Sequence, residues 1–543
     1  MRLSARAFQA VALLIGFYLL SFGVLAALVL LDVLMYKVVS DQPNALRVFV
    51  MLLLVTGTAF LVVGRAIFVS TRVKREDLPG VPVTPEQQPV LWERVRYLAR
   101  EAGTRPPKEI RIVPQVNAAV TENARLLGLI PGRRILMIGA PLLLAFTTGQ
   151  LDAVLAHEFG HYSNRDTRLL PVVNRGRVSL MAALNAARGE IRGPRGKASG
   201  RKAGQGQGSA NGRIGLPGQE LLFKLFRAYA FRYFAVTEAI SRAQEYAADR
   251  ISVRIAGPDS AASALAELPA LDAAYGFYLD RFVAAGLPDK LLPRPELALA
   301  GFAGLLAEPE RQAQIAKVRA NPPVRKPDRF DSHPPLPDRI AAIRALPWHT
   351  PADLSAPAGS GTVPDPGSRA VDLLADPEAL FAAVAADMLA HRAEGTTAAD
   401  WDEIAAAVAR RATVRSAGPL RLAVSELAQP AKGLGALLDL ADAGRLGEVL
   451  DLLPRGDAAK KATGRVAREF AKNEVADRLP DWIYAELTAN GRRVWGSSWA
   501  HVVEVRLEPA LVKELADAVD ALLAVHTDAA PLRAVLTREA IVS

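Results

Sequence analysis

Two long apolar runs open the chain, and mixed patterning follows them. Ala10 to Leu31 carries no charged side chain. At about 1.5 Å of rise per residue this is roughly 33 Å of helix, enough to cross a bilayer. The run is too long for the apolar part of a signal peptide, and no convincing cleavage site follows it. A second run, Val48 to Val69, holds only Arg65, close enough to its end to snorkel. Past residue 76 the periods shorten. Thr84-Pro85-Glu86-Gln87 reads as a helix start, with the helix running through Trp92, Val95 and Leu98. Glu109 to Val113, Val116 to Thr121 and Arg134 to Ile138 read as strands, and Thr148-Gly149-Gln150 opens a helix from Leu151 to Ser163.

The stretch Leu221 to Ile240 is amphipathic. Leu222, Phe223, Leu225, Phe226, Tyr229, Ala230, Tyr233, Phe234 and Val236 fall on one half of a helical wheel. Lys224, Arg227, Arg232 and Glu238 fall on the other, with Phe231 among them. Its charges argue against a span. It either lies on the membrane surface, where basic residues opposite an aromatic face suit an anionic leaflet, or packs on the domain. Pro351 to Arg369 is rich in Pro, Gly, Ala and Ser and reads as a linker. Beyond it the spacing is helical, with starts at Asp376-Pro377-Glu378, at Thr397 to Asp400 and at Glu508-Pro509.

These readings give a mainly helical α+β chain. Residues 1–76 hold two transmembrane helices, about 10–31 and 48–69. A mixed domain occupies 77–350, a linker 351–369 and an all-α accessory domain 370–543. Residues 188–218 are Gly-rich and basic, with Arg188, Arg192, Arg195, Lys197, Arg201 and Lys202, and read as a disordered insertion.

Charge then fixes a topology. Arg2 and Arg6 precede the first span, and Arg72, Lys74 and Arg75 follow the second. The positive-inside rule places both ends in the cytosol, so the protein is a multi-pass membrane protein with its large domain cytosolic. The net charge of +10 is concentrated beside the apolar runs and in the basic insertion, which favours lipid as the anionic neighbour. No aromatic residues interleave those cations, so nucleic acid is not expected as a partner.

Composition narrows the chemistry. The 543 residues include no cysteine and only 7 histidines, so a metal must be held by His and carboxylate groups. His157 and His161 stand four apart in His157-Glu158-Phe159-Gly160-His161. Four residues is a little over one helical turn, so both imidazoles project from one face and can grip one Zn²⁺. Glu158 lies beside them, within reach of a water on the open metal position. A third ligand is required. Glu245 and Asp249 share a face of a later helix, so Glu245 can ligate while Asp249 accepts the free N–H of an imidazole. His349, His391, His501 and His526 lie on linker or helical positions with no such company.

Together these segments resemble the HtpX-like membrane zinc metallopeptidases, a gluzincin group that includes the type I CAAX prenyl endopeptidases. The motifs are His-Glu-Phe-Gly-His with Asn164-Arg165-Asp166, then Ser241-Arg242 through Glu245-Tyr246 to Asp249, then His333-Pro334 with Arg339-Ile340. The resemblance covers about 83–346, and the spans in outline. It implies His157, His161 and Glu245 as ligands of one Zn²⁺ per chain, Glu158 as general base and Asp249 as the partner of a bound imidazole. It implies Asn117-Ala118-Ala119 as an edge strand that pairs with substrate, and His333 as a stabiliser of the transition state. Asp166 and Arg339 match recurrent positions, read as a supporting residue and a substrate-side residue. Family members carry further spans between the histidine helix and the third ligand; here that interval holds the basic insertion and a charged amphipathic helix. The expectation is a membrane-anchored zinc endopeptidase acting on membrane or membrane-proximal proteins, as in protein quality control. The alternative is a catalytically idle membrane adaptor that binds partners through its C-terminal helices; the intact Glu158 argues against it.

Overall fold

The computed structural model describes residues 3–39, 45–68, 78–122, 132–163, part of 176–184, 219–321, 334–347, 365–454 and 464–542. It divides into two compact units, Met1–Ala270 with Asn321–Pro377, and Leu271–Ala320 with Glu378–Ser543.

In the first unit the apolar runs form α1 (Leu3–Val39) and α2 (Ala45–Phe68). Among the described residues one helical stretch, Phe8–Val38, is long and apolar enough to cross a membrane, with a mean hydropathy of 2.5. A four-stranded sheet follows, built from β1 (Val81–Val83), β2 (Glu109–Val113), β3 (Ala118–Glu122) and β4 (Arg134–Gly139) in the order β1-β2-β4-β3. β2 and β4 run parallel, and β3 lies antiparallel to β4 at one edge. β2 is buried along its whole length.

Between β1 and β2 lies α3 (Pro89–Glu101). Thr84 and Gln87 do exchange hydrogen bonds, Thr84 N–H to Gln87 Oε1 at 3.0 Å and Gln87 N–H to Thr84 Oγ1 at 3.3 Å. They close a turn, however, and the helix begins only at Pro89. After β4 come α4 (Ala140–Ala145) and α5 (Thr148–Ser163). The amphipathic stretch belongs to a longer helix, α6, which runs unbroken from Gln219 to Ala256.

Part of the apolar arc of residues 221–240 is covered within the first unit. It packs against α1: Phe226, Ala230, Tyr233 and Phe234 form one buried cluster with Leu14, Phe17 and Leu25. Tyr229 donates to the Leu13 carbonyl at 2.5 Å. Gly16 makes room for that phenol, since a Cβ there would sit 2.6 Å from the Tyr229 oxygen. Phe231, off the arc on the wheel, is half exposed.

The second unit is helical with small strands. Its core gathers the helices Trp401–Leu427, Gly433–Asp442, Leu446–Leu452, Gly464–Ala489, Pro509–Leu523 and Ala530–Arg538 around Trp482, Leu437, Leu487 and Leu536. Two features differ from the sequence pattern. Residues Leu271–Ala320 cluster here because their rings stack with C-terminal ones: Tyr278 and Phe282 meet Trp499, and Tyr278 also meets Trp401. Thr397–Ala399 is a strand paired in parallel with Leu291–Pro293, and the helix cap is Asp400. The basic insertion at 188–218, and the linker up to 364, lie outside the described residues.

Candidate metal centre

The site begins with how α5 is held. Its first turn has orphan N–H groups that need acceptors. Thr147 and Gln150 exchange bonds across that turn, at 3.0 and 3.2 Å. The carbonyls of Ser368 and Pro366 take the N–H groups of Thr148 and Gly149 at 2.8 and 2.9 Å. The cap is therefore Thr147, and the end of the expected linker serves as its partner. One turn on, buried Asp152 pairs with Arg94 of α3, Nε to Oδ1 at 3.0 Å. This ion pair ties the helix to its neighbour.

α6 lies directly on α5. Ser252 donates to the Ala153 carbonyl at 2.7 Å. Gly160 meets Ala248 so closely that a Cβ on Gly160 would lie 2.9 Å from the Ala248 Cα. Glycine is therefore required where the helices cross. The close crossing brings Glu245 and Asp249 to the imidazoles on α5.

His157, Glu158 and His161 present nitrogen and oxygen atoms within 4.8 Å of one another. His157 Nδ1 sits 3.0 Å from Asp249 Oδ1, which leaves Nε2 turned toward Glu245 Oε2 at 3.5 Å. His161 Nε2 lies 3.8 Å from Glu245 Oε1. Ligands about 2.0–2.1 Å from one tetrahedral ion stand roughly 3.3–3.5 Å apart; the 3.5 Å separation fits a shared ion, and the 3.8 Å one exceeds it by a few tenths of an ångström. The donor set, two imidazoles and a carboxylate, is one that zinc takes in sites with an open position. Burial disfavours the charged form of His157, but hydrogen bonds to Asp249 and Glu245 outweigh it and push its pKa up to about 9. The pocket is thus built to hold positive charge beside those carboxylates.

Arg339 completes the cluster. It comes from helix Leu336–Arg344 and is 7% exposed. Its Nε and Nη2 grip the Asp249 carboxylate at 2.9 and 2.6 Å, and Nη1 reaches Glu245 Oε2 at 2.9 Å. Burial opposes the carboxylate form of Asp249, but His157 and Arg339 hold its pKa below the usual value. Arg339 therefore sits behind the glutamate and aspartate as a buried clamp. The sequence reading had placed it on the substrate side; only its carboxylate partners, invisible in sequence, reveal the clamp.

β3 lies at an edge of the sheet. Asn117 precedes β3 and accepts from Gly139 N–H at 2.7 Å, while Ala118 and Ala119 lie in the strand. Tyr162, unmarked by the sequence reading, donates to the Val120 carbonyl of the same strand at 2.7 Å. Asp166, His333 and His349 fall outside the described residues. His391, His501 and His526 are exposed.

A helix that carries His-Glu-x-x-His against a glutamate on a second helix defines a metallopeptidase-type site. Residues 85–346 match the model of Peptidase family M48. The chain is 33% identical to a "Protease HtpX homolog" of Thermococcus sibiricus over 174 residues, 32% of this chain and 53% of the relative. It is 30% identical to one from Pyrococcus abyssi over 187 residues, 34% of this chain and 58% of the relative. A longer match, 26% over 267 residues, covers 49% of this chain and 78% of the homolog from Pelotomaculum thermopropionicum. The chain thus spans a little over half the length of the first two of these relatives. No solved structure is significantly similar to it.

Proposed function

We propose that this protein is a membrane-anchored, zinc-dependent endopeptidase that hydrolyses peptide bonds in membrane or membrane-proximal proteins. The observation that carries the reading is the convergence of His157 and His161 on Glu245, with Asp249 and Arg339 behind them. His157, His161 and Glu245 would hold the metal. A bound zinc supplies Lewis acidity and makes water acidic enough to ionise near neutral pH. Glu158 takes the proton from the attacking water and passes it to the leaving nitrogen. Asp249 fixes the tautomer of His157 so that Nε2 faces the metal. Arg339 keeps Asp249 and Glu245 ionised and aimed. β3 pairs with the substrate main chain beside the scissile bond, and His333 donates to the developing oxyanion.

In this reading α1 and α2 both span the bilayer and the peptidase unit faces the cytosol, where quality control of membrane proteins is the fitting task. Packing of α6 on α1 supports the placement, because it holds the helix bearing Glu245 beside the span.

Purified full-length protein should carry about one zinc per chain and cleave an unfolded protein such as casein. Glu158→Gln should keep the zinc and lose between a hundred- and ten-thousand-fold in kcat. Equal turnover by the variant would rule out Glu158 as the base.

A further inference from the structure

Tyr162 follows His161 directly, yet its hydroxyl serves the sheet. β3 is an edge strand, paired on one side with β4 in the register Ala118↔Ile138, Ala119↔Met137 and Val120↔Leu136. Gly139 N–H donates to the Asn117 carbonyl. In an antiparallel ladder residues alternate, so Asn117, Ala119 and Thr121 turn their backbone groups toward β4. Ala118 and Val120 turn theirs outward, to the side where a further strand would add. The outward edge thus presents an N–H and a carbonyl at each of these two residues. The Val120 carbonyl is taken by the Tyr162 hydroxyl at 2.7 Å.

That bond is firmly built. The Arg134 guanidinium lies over the Tyr162 ring, 4.6 Å from its centroid, and is itself held by Glu122 at 3.2 Å. The Thr104 hydroxyl donates to the Tyr162 carbonyl at 3.4 Å.

We propose that Tyr162 is a specificity-determining residue that ends the substrate ladder at Val120. This rests on the peptidase reading above. A peptide strand laid along β3 exchanges two hydrogen bonds with Ala118. Two residues further on it accepts one from the Val120 N–H. Its own N–H at that position must share the Val120 carbonyl with the Tyr162 hydroxyl, so the fourth bond is weak. Main-chain recognition therefore rests on three full bonds on this side, and a substrate need be extended only over that short span. The substrate class that fits is a short unpaired segment, such as a loop or a frayed end, rather than a long β-strand.

The test is an N-methyl scan of one peptide cleaved by the full-length protein. Each backbone N–H is replaced in turn, and kcat/KM is measured. In the wild type one position on this side of the scissile bond, the one facing the Ala118 carbonyl, should lose about five-fold, a typical net hydrogen bond. The position two residues further along should be insensitive. Tyr162→Phe frees the Val120 carbonyl and should make that second position sensitive by a similar factor, with zinc content unchanged. The wild-type scan stands alone if the variant folds poorly. Two sensitive positions spaced by two in the wild type would overturn the stop, as would a Tyr162→Phe scan identical to the wild type. If neither the wild type nor any peptide shows Glu158-dependent cleavage, the peptidase reading falls, and the stop with it.

Discussion

The α5–α6 crossing and the core of the C-terminal unit are both buried, but they bury different material. At the crossing lie Asp152, Glu245, Asp249, Ser252 and Arg339, each under a tenth exposed. Every one is held by a named partner, such as Asp152 by Arg94, Ser252 by the Ala153 carbonyl and Asp249 by Arg339. In the C-terminal unit, Arg311 and Thr413 are the buried polar residues among those described. The rest of its interior is apolar or aromatic: Leu, Ala, Val, Ile, Trp, Phe and Tyr. Buried charge is costly unless fully paired, so the first region spends stability on fixing geometry. The second collects stability from apolar area without fixing any chemistry. The two should therefore respond to substitution in different observables.

The largest separation is expected from Trp482→Ala, which removes a fully buried ring from the C-terminal core. Truncations of this kind cost about 3–5 kcal/mol. Chemical denaturation should show that loss, while zinc content at partial denaturant stays at one per chain. Loss of zinc in parallel with the C-terminal transition would erase the contrast between the regions.

Asp249→Ala probes the other side. It leaves the ligand atoms in place but removes the partner of His157 Nδ1, and strands Arg339. Zinc affinity should fall about 10–100-fold, as outer partners of metal-bound histidines usually cost, measured by competition with a chelator. An unchanged affinity would mean that Asp249 does not orient the imidazole.

A smaller, graded effect concerns pH. In metal-free protein His157 titrates near 9, above the ordinary histidine value of 6.5. Its ion pairs with Asp249 and Glu245 therefore stabilise the metal-free fold fully below about pH 6.5, and that contribution is lost as pH rises through 9. Zinc must displace the same proton, so affinity should rise with pH, by about tenfold per unit between 6.5 and 9. A flat affinity over that range would exclude a protonated His157.

The smallest effect belongs to surface ion pairs of the C-terminal unit. Arg538 pairs with Glu514, and both are largely exposed. Arg538→Ala should change stability by less than about 1 kcal/mol. A larger loss would show that this unit also leans on charge.

Sequence made the chemistry of the site legible and much of its scaffolding illegible, for a physical reason. A metal restricts which residue types can stand at a given spacing, so His157, Glu158, His161, Glu245 and Asp249 stood out as a set. The strands around 109–138 were legible because their β-branched runs are bounded by turns. Arg339 was not, since an arginine on a short helix reads as solvated until its carboxylate partners are located. The wheel of residues 221–240 gave the apolar face but could not name α1 as what covers it, because periodicity describes one helix at a time. The helix start read at Thr397 to Asp400 holds the cap Asp400, but its first three residues form a strand too short to show a period. Gly160 carried no signal, though its missing side chain sets how near Glu245 can come.

The reach of α6 has a practical corollary for anyone who wishes to handle the peptidase without lipid. Its 38 residues form one helix, about 57 Å long, with Phe226 and Tyr233 docked on α1 and Glu245 further along the same axis. Cutting away residues 1–76 would not release a neutral soluble enzyme. It would uncover an aromatic stripe on the very helix that carries Glu245. Such a fragment would self-associate through that stripe, and each unwanted contact would pull on the third side chain of the site. Detergent or a grafted helix that mimics α1 is the sounder route to a monodisperse, zinc-loaded sample.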